Sequence, residues 1–127
     1  MIDPDYRRGL AIRRQVMGAA HVDRALGEVS DFAAPLQEFI TRCAWGGIWS
    51  RPGLDRKSRS LVTLAFLTAQ GRSHELAGHL RGARNNGASV EEIREVLLQA
   101  AVYCGVPTAA EALRVAETVL LAGEAVA

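Results

Sequence analysis

The chain has 127 residues and a mass of 13.7 kDa, so it is expected to be one domain, 1–127, with a real core but little depth for an enclosed site. Hydrophobic residues make up 49% and aromatic residues only 6%, a balance that suits packed helices better than a β-sandwich. With 15 basic residues against 14 acidic ones, the charge gives no reason to expect nucleic acid as a partner.

Near the N-terminus, Tyr6 to Met17 reads as a charged helix with Leu10, Val16 and Met17 as its apolar contacts, closed by Gly18. The start Met1-Ile2-Asp3-Pro4-Asp5 has neither the basic residues nor the apolar run of a signal peptide. His21 falls in the linker that follows. A second helix begins near Ser30, because Phe32, Leu36, Phe39, Ile40 and Cys43 recur at three- and four-residue intervals; Pro35 fits if it lies in the first turns. Next, from Ala44 to Gly53, come two tryptophans around a glycine pair, read as a glycine-flexed loop, and then Arg51-Pro52-Gly53, which breaks any helix.

Asp55 is the expected cap of a third helix whose Leu61 to Leu67 run is apolar almost all round, the pattern of a buried helix. The apolar stretch is too short to span a bilayer. Ser73 is expected to cap a fourth helix, which stops at Asn85-Asn86-Gly87. Ser89-Val90-Glu91-Glu92 forms a capping box for a fifth, with Ile93, Val96, Leu97, Ala100 and Ala101 as its stripe. Gly105 ends it and Pro107 opens a sixth, running through Leu113, Ala116 and Leu120. No strand pattern and no repeat is visible, so the expected fold is all-α with about six helices. Cys43 and Cys104 form no CxxC and, with no signal peptide read, are expected to be reduced thiols in a cytoplasmic protein. Three histidines without HxH or HExxH spacing give no expected metal site.

On a helical wheel, Arg72, Glu75, Leu76, His79, Leu80 and Ala83 share one face, with His79 near its middle. Glu75 precedes it by one turn, within reach of the imidazole. A carboxylate raises the histidine pKa and burial lowers it, so the pair can poise the ring for proton transfer. A core histidine satisfied by a helical neighbour fits the same spacing. His74 points away from that face.

Several segments together carry a resemblance. Leu54 to Leu61, Gly71 through His79-Leu80-Arg81-Gly82-Ala83, Asn86-Gly87 and Glu91 to Leu97 resemble the carboxymuconolactone decarboxylase family of the alkylhydroperoxidase-D-like superfamily. Ala44-Trp45-Gly46, Ile48-Trp49, Arg51 to Arg56, Tyr103 to Pro107 and His21-Val22-Asp23 are similar to its decarboxylase branch in particular. The peroxidases of the superfamily place Cys-x-x-Cys-x-x-x-His on one helix. Counted back from His79, those cysteine positions hold Glu75 and Arg72, and the acidic residue that peroxidases carry one helix earlier falls at Ser60. The histidine is kept and the dithiol is gone, which disfavours the alternative of an alkylhydroperoxidase-like oxidoreductase. The branch usually has a glutamate between Gly46 and Ile48, where this chain has Gly47. That departure bears on activity or substrate, and it is the one hint of a third possibility, a non-catalytic helical accessory subunit.

The resemblance implies a cofactor-independent carboxy-lyase. Its reaction converts γ-carboxymuconolactone to 3-oxoadipate enol-lactone and CO2 in protocatechuate degradation by the β-ketoadipate pathway. It also implies a homohexamer, a trimer of dimers. Such chemistry needs cations for the carboxylates, a donor for the developing enolate oxygen and an acid for the ring carbon. His79 is the expected proton donor or enolate partner, with Glu75 orienting it. Arg51, Arg59 and Arg72 are the candidates for gripping carboxylates, since a guanidinium pairs with them at two points; each is equally explained as a solvated charge. Trp45 and Trp49 can wall the pocket or serve as ordinary core or interface aromatics. Tyr103 can donate to the lactone oxygen, although a buried helix tyrosine needs no such role, and Cys104 can pack beside it.

Overall fold

The computed structural model describes residues 3–121, and among them all regular structure is helical. Eight consecutive helical elements are present: α1 (Pro4–Met17), α2 (Ala19–Gly27), α3 (Ala34–Phe39), a π-helix π1 (Ile40–Ile48), α4 (Arg56–Ala69), α5 (Ser73–Asn85), α6 (Val90–Cys104) and α7 (Val106–Leu120). The expected all-α class holds. The chain divides into two compact units, Met1–Asp55 and Arg56–Ala127.

In the first unit, Asp3 caps α1 by accepting the Asp5 N–H at 3.0 Å, and Pro4 occupies the first turn, where a missing N–H costs nothing. Gly18, at φ 97°, ends α1, and α2 begins at once. His21 therefore lies on a helix and not in a linker, because one left-handed residue is enough to reset the axis. Ile12, Val16 and Trp45 form the core of this unit, with Met17, Ile40, Ala44 and Trp49 packed around them. The Phe32, Leu36, Phe39 stripe is solvent-facing instead of buried: Phe32 is 97% exposed and α3 has no buried residue. Pro35 sits in the first turn of α3, as its chemistry requires.

Helical structure ends ahead of Arg51-Pro52-Gly53, as expected, but the glycine pair before it is helix and not loop. Ile40–Ile48 continues α3 as a nine-residue π-helix, closed by the Trp49 N–H donating to the Ala44 carbonyl at 3.0 Å. Turns of this kind are rare and usually single. Here α1 supports the length. Arg13 donates to Thr41 Oγ1 at 3.0 Å and to Gln37 Oε1 at 2.9 Å at one end, and Arg8 Nε donates to the Gly46 carbonyl at 3.1 Å at the other. Between these points the backbones touch. A Cβ at Gly9 would overlap the Thr41 carbonyl oxygen, and one at Gly46 would overlap the Asp5 carbonyl. Thr41 and Gly46 are one π turn apart, so Gly9 packs directly on the widened turn.

In the second unit, α4 to α7 enclose Leu64, Leu76, Leu80, Ala83, Ala88, Ile93, Leu97, Ala112 and Ala116. Each large side chain contributes roughly 1.5–3 kcal/mol by leaving water. Ser89 and Glu92 form the full capping box that begins α6, and Gly105, at φ 99°, separates α6 from α7. Ser73 is not the cap of α5. Arg72 holds that position, and the Ser73 hydroxyl donates to Glu111 Oε1 of α7 at 3.2 Å. Nor is α4 buried all round: Leu64 is buried, whereas Val62 and Phe66 are 41% and 61% exposed. No helix among the described residues is long and apolar enough to cross a membrane.

Candidate active site

His79 projects from the middle of α5, half-buried, with Leu76, Leu80 and Ala83 of the same helix fully inside the core. The ring expected to point inward therefore lies at the border between core and solvent. Ser60 of α4 is 1% exposed and its hydroxyl accepts from Asn86 Nδ2 at 2.9 Å, so the position that carries an acid in superfamily peroxidases is filled here by a neutral, satisfied side chain.

Glu75 lies exposed in the first turn of α5. A carboxylate there interacts favourably with the helix N-terminus. Arg72, at the N-cap of α5, is exposed as well, while Arg59 of α4 is half-buried. Tyr103, expected to be buried if structural, is 81% exposed near the end of α6. With half-buried Cys104 it lines a groove of about 310 Å³ between α4 and α6, whose walls include Leu61, Val62, Ala65 and Val96. His74 is exposed on α5 and His21 on α2.

The first unit carries the other expected residues. Trp45 is 5% exposed and stacks on half-buried Trp49, with ring centroids 4.7 Å apart and planes inclined by 28°. The stack joins Trp45 of π1 to Trp49, the residue that caps its C-terminal end. Arg51 follows within two residues, exposed, its N–H donating to the Ile48 carbonyl at 3.0 Å. Arg13, which sequence reasoning passed over, is half-buried with neutral hydrogen-bond partners. Burial pushes its pKa down from the ordinary arginine value, opposed by Tyr6. A glycine inside a charged helix, Gly9, was the signal that α1 meets another backbone closely.

A hollow of about 390 Å³ in the same unit, lined by Asp3, Tyr6, Leu26, Val29, Gln37 and Glu38, contains none of the expected site residues and presents two carboxylates, a poor lining for a dianion. Among the described residues no group of three or more His, Cys, Asp or Glu side chains is placed to hold a metal ion. Cys43 and Cys104 are both free thiols, and neither lies on α5.

Comparison with known proteins adds to this geometry. The model of the carboxymuconolactone decarboxylase family matches residues 34–118. A 4-carboxymuconolactone decarboxylase of Acinetobacter baylyi is 47% identical over 90% of this chain and 85% of its own length. A nitrosuccinic acid decarboxylase of Metarhizium robertsii is 48% identical over 88% of this chain and 78% of its own. An alkyl hydroperoxide reductase AhpD of Mycobacterium marinum is 34% identical over 60% of this chain and 41% of its own. The chain belongs to the carboxymuconolactone decarboxylase family.

Proposed function

We propose that the protein is a cofactor-independent decarboxylase acting on γ-carboxymuconolactone, releasing CO2 and 3-oxoadipate enol-lactone in protocatechuate degradation. The observation that carries this reading is His79, half-buried on α5, with Arg72 and Glu75 at the positions where a redox enzyme of the superfamily needs thiols. Likeness along most of the chain to two decarboxylases supports it. The acids named for those relatives each carry a group that can take up an electron pair, a lactone in one and a nitro group in the other.

In the reaction the bond between the ring carbon and one carboxylate breaks, and CO2 departs. Its electron pair passes through the ring double bond to the lactone carbonyl as a dienolate. A proton delivered to carbon then restores the neutral ring. His79 supplies that proton or pairs with the enolate oxygen. Arg51, with Arg59 and Arg72 as further cations, binds the carboxylates. Trp45 and Trp49 exclude water, and Tyr103, beside Cys104, donates to the lactone oxygen.

The same reading includes self-association, with a homohexamer as the expected assembly, and a cytoplasmic location in keeping with two free thiols. Support for assembly comes from the apolar side chains of α4 and α6 that stand in solvent: Phe66 at 61%, Val102 at 79% and Tyr103 at 81% exposure.

The test is CO2 release from carboxymuconolactone by purified protein, with no cofactor added and with EDTA present. Turnover unaffected by EDTA is expected. A folded protein that leaves the lactone intact would overturn the assignment, and activity on nitrosuccinate alone would transfer it to that substrate.

A further inference from the structure

The C-terminal end of π1 poses a problem of hydrogen bonding that the chain solves in an unusual place. Gly46 lies in the last turn, where carbonyls run out of helical partners. Its oxygen receives two side-chain donors instead: Arg8 Nε of α1 at 3.1 Å and Ser50 Oγ at 2.6 Å. Arg8 is held in turn by Asp5 Oδ1, 2.6 Å from its Nη2, one turn earlier on α1. The chain of contacts Asp5, Arg8, Gly46, Ser50 therefore runs from the rigid body of α1 to the residue immediately before Arg51.

We propose that Arg8 and Ser50 are positioning residues that fix the Trp45–Trp49 stack and the backbone of Arg51 for carboxylate binding through their shared hold on the Gly46 carbonyl. This rests on the reading of Arg51 as a carboxylate-binding residue. Two observations separate it from simple helix capping. The clamp lies at a glycine pressed against the Asp5 carbonyl, so π1 cannot slide along α1 at that point. The clamped segment also contains no buried side chain after Gly46: Ile48 and Arg51 are exposed, and Trp49 and Ser50 are half-buried. Trp49 packs on the core of the unit, and the Ser50 hydroxyl, bound to the same carbonyl as Arg8, adds a hold on the residue next to Arg51. An arginine on an unrestrained segment must be ordered each time it binds, which weakens binding without changing the chemical step.

The experiment compares Arg8→Gln and Ser50→Ala with Ser50→Thr, which keeps the hydroxyl, and with Arg14→Gln, which removes the exposed Arg14–Asp23 pair elsewhere on α1. Near-ultraviolet circular dichroism of the stacked indoles reads the geometry without substrate. Steady-state kinetics with carboxymuconolactone read the function.

Arg8→Gln and Ser50→Ala are expected to weaken the indole signal and raise KM by roughly five- to twentyfold, with kcat changed by less than about threefold. Ser50→Thr and Arg14→Gln should match the wild type. An unchanged KM, or a fall in kcat at constant KM, would overturn the proposal. If Arg8→Gln does not fold, Ser50→Ala against Ser50→Thr decides alone. If the wild type shows no turnover, the decarboxylase reading fails separately, and the indole signal still decides the positioning: an unaltered spectrum in both variants refutes it.

Discussion

Gly9 of α1 packs against the Thr41 carbonyl of π1 so closely that a methyl group at position 9 would occupy the same space as the oxygen. The obstacle is backbone, not the flexible end of a side chain, and it sits on both sides of one π turn, at Thr41 and Gly46. Relief requires α1 and π1 to move apart, which strips Arg13 from Thr41 and Arg8 from Gly46. Gly9→Ala is expected to destabilise the first unit by about 3 kcal/mol, the upper end of overpacking costs. Urea unfolding followed by tryptophan emission, which reports from Trp45 and Trp49, measures it.

Gly47, one residue from a glycine that tolerates nothing, is the opposite case. A Cβ there meets only the Arg42 carbonyl, at 4.0 Å, and the residue is exposed. Its lack of a side chain therefore costs helix stability with no packing gained. Gly47→Ala is expected to stabilise the protein by roughly 0.5–1 kcal/mol. Gly47→Glu should fold as well as the wild type. Any change in KM or kcat that Gly47→Glu produces then belongs to the added carboxylate and not to a disturbed helix.

These two glycines show why some of the structure was legible in the sequence and some was not. The capping box at Ser89 and Glu92 and the break at Gly105 are local, settled by residues three or four apart, and both appear as read. The glycine pair at 46 and 47 reads as loop for the same local reason. What keeps the helix going is a contact with residues 5 to 13, far away in sequence. Leu61 to Leu67 reads as buried because composition cannot distinguish burial within a chain from a face left for something else. Periodicity sets His79 beside Leu76 and Leu80, which are buried, and the ring is half-buried next to them. Periodicity does not decide its pairing with Glu75, because helical spacing brings two Cβ atoms near each other without making their side chains meet.

That last distinction is testable. His79→Gln keeps a polar, half-buried side chain but removes the titrating ring, and is expected to lower kcat by about 10² to 10⁴. Glu75→Gln should change kcat by about threefold or less, since exposed charges couple weakly to their neighbours. A loss in Glu75→Gln comparable to that in His79→Gln would make the carboxylate the orienting group. Near wild-type turnover in His79→Gln would leave it a core histidine.

The exposed apolar face of α4 and α6 leads to a separate expectation. Phe66 and Val102 contribute little to the core of their own unit, so a charge at either position should leave the helical signal and melting profile intact. In an interface between copies, an unpartnered buried charge costs several kcal/mol. Phe66→Glu and Val102→Glu are therefore expected to raise the subunit dissociation constant by about a hundredfold or more. Light scattering coupled to size exclusion should show the wild type as an oligomer and the variants as smaller species. A wild type that is monomeric at high concentration would remove the hexamer.

Acid should expose a carboxylate whose pKa is displaced, that of Glu92. Glu92 accepts the Ser89 N–H at 2.9 Å through Oε1 and pairs with Lys57 Nζ at 3.0 Å through Oε2. The hydrogen bond from the Ser89 backbone is the larger cause, and Lys57 adds to it; together they hold the carboxyl below the usual glutamate value. A folded-state pKa below the unfolded one means that the ionised form is favoured by folding. The resulting stability is fully present at neutral pH, begins to fall as pH drops past the ordinary value of about 4.3, and is gone once pH is below the lowered one. Glu92→Gln isolates this contribution, because glutamine still accepts from the Ser89 N–H and preserves the capping box. Thermal melts of wild type and Glu92→Gln should differ at pH 7, with the wild type higher, and converge as pH is taken through that window. A gap that stays constant down to pH 2 would mean that the charge on Glu92, and so its pairing with Lys57, contributes nothing to holding α4 and α6 together.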